Sequence, residues 1–235
     1  MCYLSVIIPC YNESENISVI FNKLSLFDND VEIVFVDNGS TDNTAERISD
    51  KVAEINRCNI KCVTVTTNIG YGHGIMSGVN SASGEVLSWT HADLQTDPSD
   101  VLEAYKKYTA HPRYPDCILM GRRVGRKFFD AMFTAGMSLL STVLLRVPLS
   151  DVNAQPKGFH RNFLKKLPNP PRDFSLDLYL LYQARVHKYP ILEHQVHFGK
   201  RLYGESKGGG TLKGKLKLIQ RTWKYIMKLT RELEQ

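Results

Sequence analysis

Apolar and polar positions follow two rhythms along the first two thirds of the chain. Short apolar runs rich in β-branched residues recur at Leu4–Pro9 (LSVIIP), Val31–Val36 (VEIVFV), Lys61–Thr66 and Val86–Thr90. Runs of that length and content predict strands, the first of them buried on both faces. Between the runs the period lengthens to that of a helix. Ile17, Ile20, Phe21 and Leu24 fall at i, i+3, i+4 and i+7, which predicts a helix over Asn12–Leu26. Further helices are predicted from about Asp42 to Asn56 and over Gly74–Ala82. The turn residues Asp37-Asn38-Gly39-Ser40 end the second strand. Strand and helix alternating at this spacing predict an α/β fold, an open and mostly parallel sheet covered on both faces.

The last third is less regular. Asp100–Thr109 reads as a helix and Cys117–Gly121 as a short strand. Phe128–Leu145 is an apolar, helix-like stretch with few charges. Phe174–Val186 reads as a helix and Ile191–Phe198 as a strand. After Gly208-Gly209-Gly210 a clear period returns. Leu212, Leu216, Ile219, Trp223, Ile226, Thr230 and Leu233 fall on steps of three and four. That spacing predicts an amphipathic helix with basic flanks. Such a helix can lie on a membrane, pack on the rest of the chain or pair with a partner helix. The expected organisation is one domain over residues 1–207 and an appended helix over 208–235.

Charge sharpens the picture of the tail. The net charge is +6. From Gly204 to Gln235 eight Lys or Arg stand against three Glu, so most of the positive excess lies there. Basic tails suit anionic membranes, nucleic acid or acidic partners. No DNA- or RNA-binding motif accompanies this one, so no nucleic-acid partner is expected. The five cysteines lack metal-type spacing, which points to reduced thiols rather than a zinc site. No apolar stretch reaches 18 residues, so no transmembrane helix is expected. Met1–Ser5 lacks a basic start, so no cleaved signal peptide is expected either.

Candidate chemistry gathers at the strand ends. Ligands of such sheets bind beyond the carboxyl ends of the strands. Here those ends are Pro9–Glu13, Asp37–Thr41, Asn68–Gly74 and His91–Asp97, all polar or glycine-rich. Asp37 can accept hydrogen bonds from a base N–H or a ribose hydroxyl, or simply form a turn. His91, Asp93 and Gln95 occupy alternate positions. In an extended chain their side chains share one side. Together they can hold a divalent cation, Mg²⁺ or Mn²⁺, with imidazole favouring Mn²⁺.

Four segments in order, SVIIPCYNE (Ser5–Glu13), VDNGSTDNT (Val36–Thr44), NIGYGHGIMSG (Asn68–Gly78) and HADLQTDP (His91–Pro98), carry a resemblance. As a set they resemble the inverting glycosyltransferases of family two, which have the GT-A fold with its Rossmann-like nucleotide-binding half. Among those the chain is most similar to the polyprenyl-phosphate sugar synthases. The resemblance runs from Leu4 to about Lys207. It implies a donor site of Pro9, Tyr11, Glu13, Asp37, Gly70, Asp93 and Gln95. It implies a metal at Asp93 and Gln95, with His91 where the family usually has Asp. Arg201-Leu202-Tyr203-Gly204-Glu205-Ser206-Lys207 is similar to a loop that grips phosphates, which implies Arg201, Ser206 and Lys207 as acceptor-phosphate ligands. Arg supplies a planar fork of donors and Lys a mobile charge. Gly121-Arg122-Arg123 and Arg126 resemble further phosphate residues, with Arg122 and Arg126 the expected contacts. Asp130 replaces the Ser that the family often has there. Asp151–Phe159 matches a loop ending in Gly-Phe, whose polar residues can touch sugar or acceptor.

The resemblance implies transfer of a sugar from a GDP- or UDP-sugar to a polyprenyl phosphate, by direct displacement with inversion. Asp93, Arg122, Arg201 and Asp177 are the expected catalytic residues. Asp177 is the best placed general base, or else a charge on a helix surface. A lipid phosphate needs no base, whereas a sugar hydroxyl does. A family-two transferase acting on a sugar hydroxyl and a non-catalytic nucleotide-sugar-binding module are the alternatives. The expected location is the inner face of the cytoplasmic membrane. The basic tail would meet the membrane surface or a membrane partner protein there.

Overall fold

Leu4–Cys10 forms strand β1, and all its residues except Pro9 are buried. The computed structural model describes residues 3–125, 128–203 and 212–233. Val31–Asn38 (β2), Ile60–Val65 (β3) and Val86–Trp89 (β4) continue the sheet. β2 and β4 flank β1, β3 lies outside β2, and all four are parallel. Helices Ser14–Lys23 (α1), Thr44–Ile55 (α2) and Tyr71–Ser81 (α3) make the connections. The apolar runs and helical periods of the sequence thus correspond to real elements.

The other half of the sheet departs from a simple parallel repeat. Ile118–Val124 (β5), Lys157–His160 (β6) and Ile191–His197 (β7) complete seven strands in the order β3-β2-β1-β4-β6-β5-β7. β6 runs antiparallel to both neighbours, β4 and β5, whereas β5 and β7 are parallel. β6 has only four residues, begins on a lysine and contains a glycine. It has no hydrophobic signature of its own. Pairing on both sides makes it a strand.

Alternation along the strands splits the interior into two cores. On one face Ile7, Val34 and Val36 meet Ile75 and Val79 of α3 and the apolar side of Leu176–Val186 (α6). On the other face Val6, Ile8 and Phe35 meet Ile17, Ile20 and Phe21 of α1. Val101, Ala104 and Tyr108 of Asp100–Thr109 (α4) join them there. At the amino end of β2 the buried Glu32 accepts hydrogen bonds from Ser5 Oγ at 2.5 Å and Ser83 N at 2.7 Å, and pairs with Lys61 at 2.8 Å. Burial alone would raise its pKa, but those hydrogen bonds outweigh it and hold the carboxyl below its ordinary value.

Phe128–Leu145 (α5) and Leu212–Leu233 (α7) pack against each other. Ile226 and Leu229 of α7 are buried in the first core, so this helix does pack on the rest of the chain. Both helices nevertheless expose apolar side chains. On α5 these include Met132, Leu139 and Val143, and on α7 Leu216, Trp223 and Met227. Positions 132, 139 and 143 repeat at seven and four, one exposed stripe. Among the described residues no helix is long and apolar enough to cross a membrane.

Candidate active site

The switch in strand order lies at β1, from which the chain leaves to β2 on one side while β4 lies on the other. A crevice forms beyond the carboxyl ends at such a point. The loops after β1 and β2 are clasped together there. Thr41 N donates to Asn12 Oδ1 at 2.8 Å, Asn12 N donates to Ser40 Oγ at 3.1 Å, and Glu13 N donates to Thr44 Oγ1 at 2.9 Å. The strand register sets Pro9 beside Val36 and Cys10 beside Asp37, and the clasp ties the following residues 11–13 to the loop after Asp37. Asp37 is 4% exposed, and its Oδ1 accepts from Ser40 N at 3.1 Å. It therefore shapes the turn while standing at the strand end.

The loop after β4 supplies the next group. Asp93 is buried and Arg201 reaches it from beyond β7, with Nη2 donating to Asp93 Oδ2 at 2.7 Å. The same guanidinium lies 3.8 Å from Glu13 Oε1. One arginine thus joins the loops of β1 and β4 to the segment after β7. These three residues were separate motifs in the sequence.

His91, Asp93 and Gln95 do not share one side as the extended alternation predicts. Leu94 adopts the left-handed conformation with φ 56, and Gln95 N donates back to Asp93 Oδ1 at 3.1 Å. The chain turns, and Gln95 Nε2 donates to Gly199 O at 3.2 Å. Among the described residues no group of three or more His, Cys, Asp or Glu forms a metal cage. Asp93 and His91 remain as oxygen and nitrogen donors. Desolvation holds the His91 imidazole below its ordinary pKa, although Asp93 and Asp177 pull the other way. A neutral imidazole is the form that binds metal. A pair of protein donors suits a cation whose other ligands come from a diphosphate.

Gly70 and Gly72 allow a second loop to close on the site. A Cβ at Gly70 would lie 2.2 Å from Arg172 O, and one at Gly72 2.2 Å from Pro171 O. Gly70 also has φ 140, a region open to glycine alone. His73 N donates to Arg172 O at 2.9 Å, which seals the contact. Phe174, at the end of this loop, stacks on Tyr71 with centroids 4.7 Å apart. Arg221 of α7 covers Phe174 at 5.3 Å. Tyr71 also lies beside His91, with ring centroids 5.9 Å apart.

Asp177 is not a helix-surface charge. It lies in the first turn of α6 and is 2% exposed. Tyr71 Oη donates to its Oδ2 at 3.4 Å, and Gln155 Nε2 donates to Oδ1 and Oδ2 at 3.4 and 3.3 Å. Lys157 Nζ stands 3.7 Å away. Desolvation lowers the Lys157 pKa, offset in part by Asp177 and Asp151. Desolvation also raises that of Tyr71, with Asp177 adding to the shift. The network adjoins His91 and forms the floor on that side.

Arg122 is not brought to this group. Its side chain is 60% exposed and pairs with Glu193 at 3.2 Å. The next residue, Arg123, points the other way. It forms a paired ion contact with Asp151, with Nε donating to Oδ1 at 3.0 Å, and its guanidinium covers Phe198 at 5.2 Å. Strand alternation separates the two arginines, and composition cannot show which one faces inward. Arg126, Ser206 and Lys207 lie outside the described residues. Tyr71, Lys157, Phe174 and Arg221 were not singled out by sequence. Tyr71 could have been, since it sits inside the glycine-rich segment Asn68–Gly78. Lys157 lies in the segment Asp151–Phe159, whose polar residues are expected at sugar or acceptor, but nothing in the sequence distinguishes it from the others there.

Comparison with known proteins agrees with the geometry. The model of the family described as glycosyl transferase family 2 matches residues 5–170. An undecaprenyl-phosphate 4-deoxy-4-formamido-L-arabinose transferase from Enterobacter sp. (strain 638) is 34% identical over 212 residues, 87% of this chain and 62% of its own. A dolichol-phosphate mannosyltransferase from Pyrococcus furiosus is 27% identical over 220 residues, 90% of this chain and 60% of its own. The chain thus spans about three fifths of the length of these two relatives. A mannosyltransferase from Pyrobaculum calidifontis, solved with GDP-mannose and Mn²⁺, superposes with a TM-score of 0.65 at 20% identity. That superposition covers 86% of this chain and 58% of the other. At that identity the likeness bears on the fold alone, which is GT-A. With the motifs at the strand ends, the topology and the family model in agreement over most of its length, the chain belongs to glycosyl transferase family 2.

Proposed function

We propose that this chain transfers a sugar from a nucleoside diphosphate sugar to a polyprenyl phosphate, with inversion at the anomeric carbon. The observation that carries the reading is Arg201 bound to Asp93 and close to Glu13 at the strand switch point. A guanidinium held there, beside carboxylates that can share a cation, is equipped to take up the charge of a departing diphosphate. The two relatives named for polyprenyl-phosphate acceptors support the acceptor class.

In this reading Pro9, Tyr11, Glu13, Asp37 and Gly70 line the donor nucleoside and diphosphate. Asp93 and His91 would hold a divalent cation, Mg²⁺ or Mn²⁺, which supplies Lewis-acid stabilisation of the leaving group. The Mn²⁺ in the solved mannosyltransferase supports a divalent cation in a site of this fold. Arg201, held on Asp93, meets the leaving diphosphate, and Arg123 at the end of β5, held by Asp151, serves the acceptor phosphate. An anionic acceptor phosphate attacks without a base, so catalysis rests on positioning and charge. The exposed stripes of α5 and α7, with the basic tail, set the protein on the anionic surface where such lipids lie.

A second reading is favoured by the buried Asp177. A carboxylate enclosed beside the site suits a general base for a sugar hydroxyl acceptor. One assay separates the two readings. Purified protein meets GDP- and UDP-sugars, undecaprenyl or dolichyl phosphate, sugar acceptors, and Mn²⁺ or Mg²⁺, with products read by mass spectrometry. A sugar-phosphate-lipid product supports the first reading. Nucleotide release that depends on a sugar acceptor replaces it with the second.

A further inference from the structure

Lys157 has no part in the chemistry above, yet it is a fully buried lysine at the edge of the site. Its side chain is 0% exposed and its Nζ has three oxygen neighbours. It donates to Val152 O and to Ala154 O, each at 2.6 Å, and faces Asp177 Oδ1 at 3.7 Å. An ammonium taken out of water is tolerated only where such partners surround it. Here the partners belong to two different walls of the site.

The two carbonyls lie on the loop before β6. That loop begins at Asp151, which holds Arg123 by its backbone N at 2.9 Å and by its guanidinium. The loop ends at Gln155, whose Nε2 donates to Tyr71 Oη at 2.9 Å. Asp177 lies on α6 and accepts from the same tyrosine. Lys157 therefore joins the loop carrying Asp151 to the carboxylate facing Tyr71 through the loop's backbone carbonyls, beside the side-chain link that Gln155 makes to the same carboxylate at 3.3–3.4 Å. Gly121 lets the loop come close, since a Cβ there would lie 2.0 Å from Gln155 O.

We propose that Lys157 is a positioning residue that fixes Arg123 through the Asp151 loop and Tyr71 through Asp177. It sets the acceptor side of the site through Arg123, whereas the nucleoside contacts at Glu13 and Asp37 do not pass through it. The donor groups at Glu13, Asp37 and Asp93 are held by a separate set of contacts, the loop clasp and Arg201. The inference rests on the functional reading above for its catalytic arm only.

The test compares Lys157→Met with the paired variant Lys157→Met/Asp177→Asn, which leaves no buried charge alone and guards against misfolding. Three quantities are read: hydrogen exchange of residues 151–156, calorimetric affinity for GDP and UDP, and kcat with KM for each substrate. The expected result is exchange at least tenfold faster in 151–156 with nucleotide affinity within threefold of the parent. Turnover should fall at least thirtyfold or the acceptor KM rise tenfold, in both variants. Unchanged exchange overturns the proposal, as does faster exchange with kcat and acceptor KM intact. A drop in nucleotide affinity matching the loss of turnover also overturns it, because the role would then be general. If the parent turns over no donor and acceptor, the transferase reading fails. The exchange and affinity arms still decide whether Lys157 holds the loop and spares the donor side.

Discussion

Arg201 and Asp93 are 108 positions apart in sequence, and Arg201 Nη2 donates to Asp93 Oδ2 at 2.7 Å. The contact joins the segment after β7 to the loop after β4 and places a fixed cation where diphosphate charge would develop. Arg201→Ala is expected to lower kcat/KM at least about 100-fold, the usual scale for losing a charge-stabilising donor. Arg201→Lys keeps the charge but loses the fork and should fall between. Steady-state kinetics with the donor found by product assay check this. A loss under threefold in the alanine variant would remove Arg201 from the site.

Asp177→Asn separates the two acceptor classes. With a lipid phosphate acceptor the expected loss of kcat is under about thirtyfold, because no proton must be removed. With a sugar hydroxyl acceptor the expected loss is about 10²–10⁴-fold, the range for a general base. The same variant assayed with each acceptor gives the answer.

Gly70→Ala should disturb the site by sterics alone. The new methyl would have to share space with Arg172 O, and the backbone there has a positive φ. A cost of about 3 kcal/mol is expected, a fall in Tm of roughly 6–12 °C for a chain of this size. Differential scanning calorimetry measures it. A Tm within two degrees of the parent would show that the 171–174 loop yields freely.

Glu32 gives a pH-dependent prediction remote from the site. Its folded pKa lies below the ordinary carboxylate value of about 4.3. The unfolded chain therefore binds the proton more readily. The stabilisation is complete above that ordinary value and fades as pH falls through the folded one. Glu32→Gln should cost about 1–3 kcal/mol at pH 7 and progressively less below pH about 4. Urea unfolding of both proteins across that range tests the sign. A difference that grows on acidification would contradict it.

The exposed stripe of α5 predicts a lipid contact. Leu139→Asp and Val143→Asp should abolish flotation with vesicles containing anionic lipid and leave nucleotide affinity unchanged. Flotation as strong as the parent's would exclude that stripe.

The half of the sheet built from β1 to β4 was legible because its physics is local. β1 and β2 are buried on both sides, and the apolar runs record this directly. α1 shows its core face at helical spacing. The half of the sheet built from β5, β6 and β7 was less legible because its structure depends on partners far away in sequence. β6 has four residues and no pattern, and only its pairing with β4 and β5 makes it a strand. Asp177 could have been read better. It sits in Leu176-Asp177-Leu178-Tyr179-Leu180-Leu181-Tyr182, apolar on every side, and a helix so composed is buried. The turn at Leu94 defeated the alternation drawn through His91, Asp93 and Gln95, because a single left-handed residue reverses which way the following side chain points. The choice between Arg122 and Arg123 depended on strand register, which no local count of charge can supply.

The chain has two tryptophans, and the fold has placed them in opposite environments. Trp89 is 1% exposed at the end of β4, next to the segment that carries His91 and Asp93, whereas Trp223 is 43% exposed on α7. An aqueous quencher such as acrylamide will therefore dim one emitter and spare the other. Shielding of Trp223 by vesicles would report adsorption, and a change confined to Trp89 would report filling of the crevice. The unmodified protein thus carries separate optical readouts for its two surfaces, with no label to disturb either.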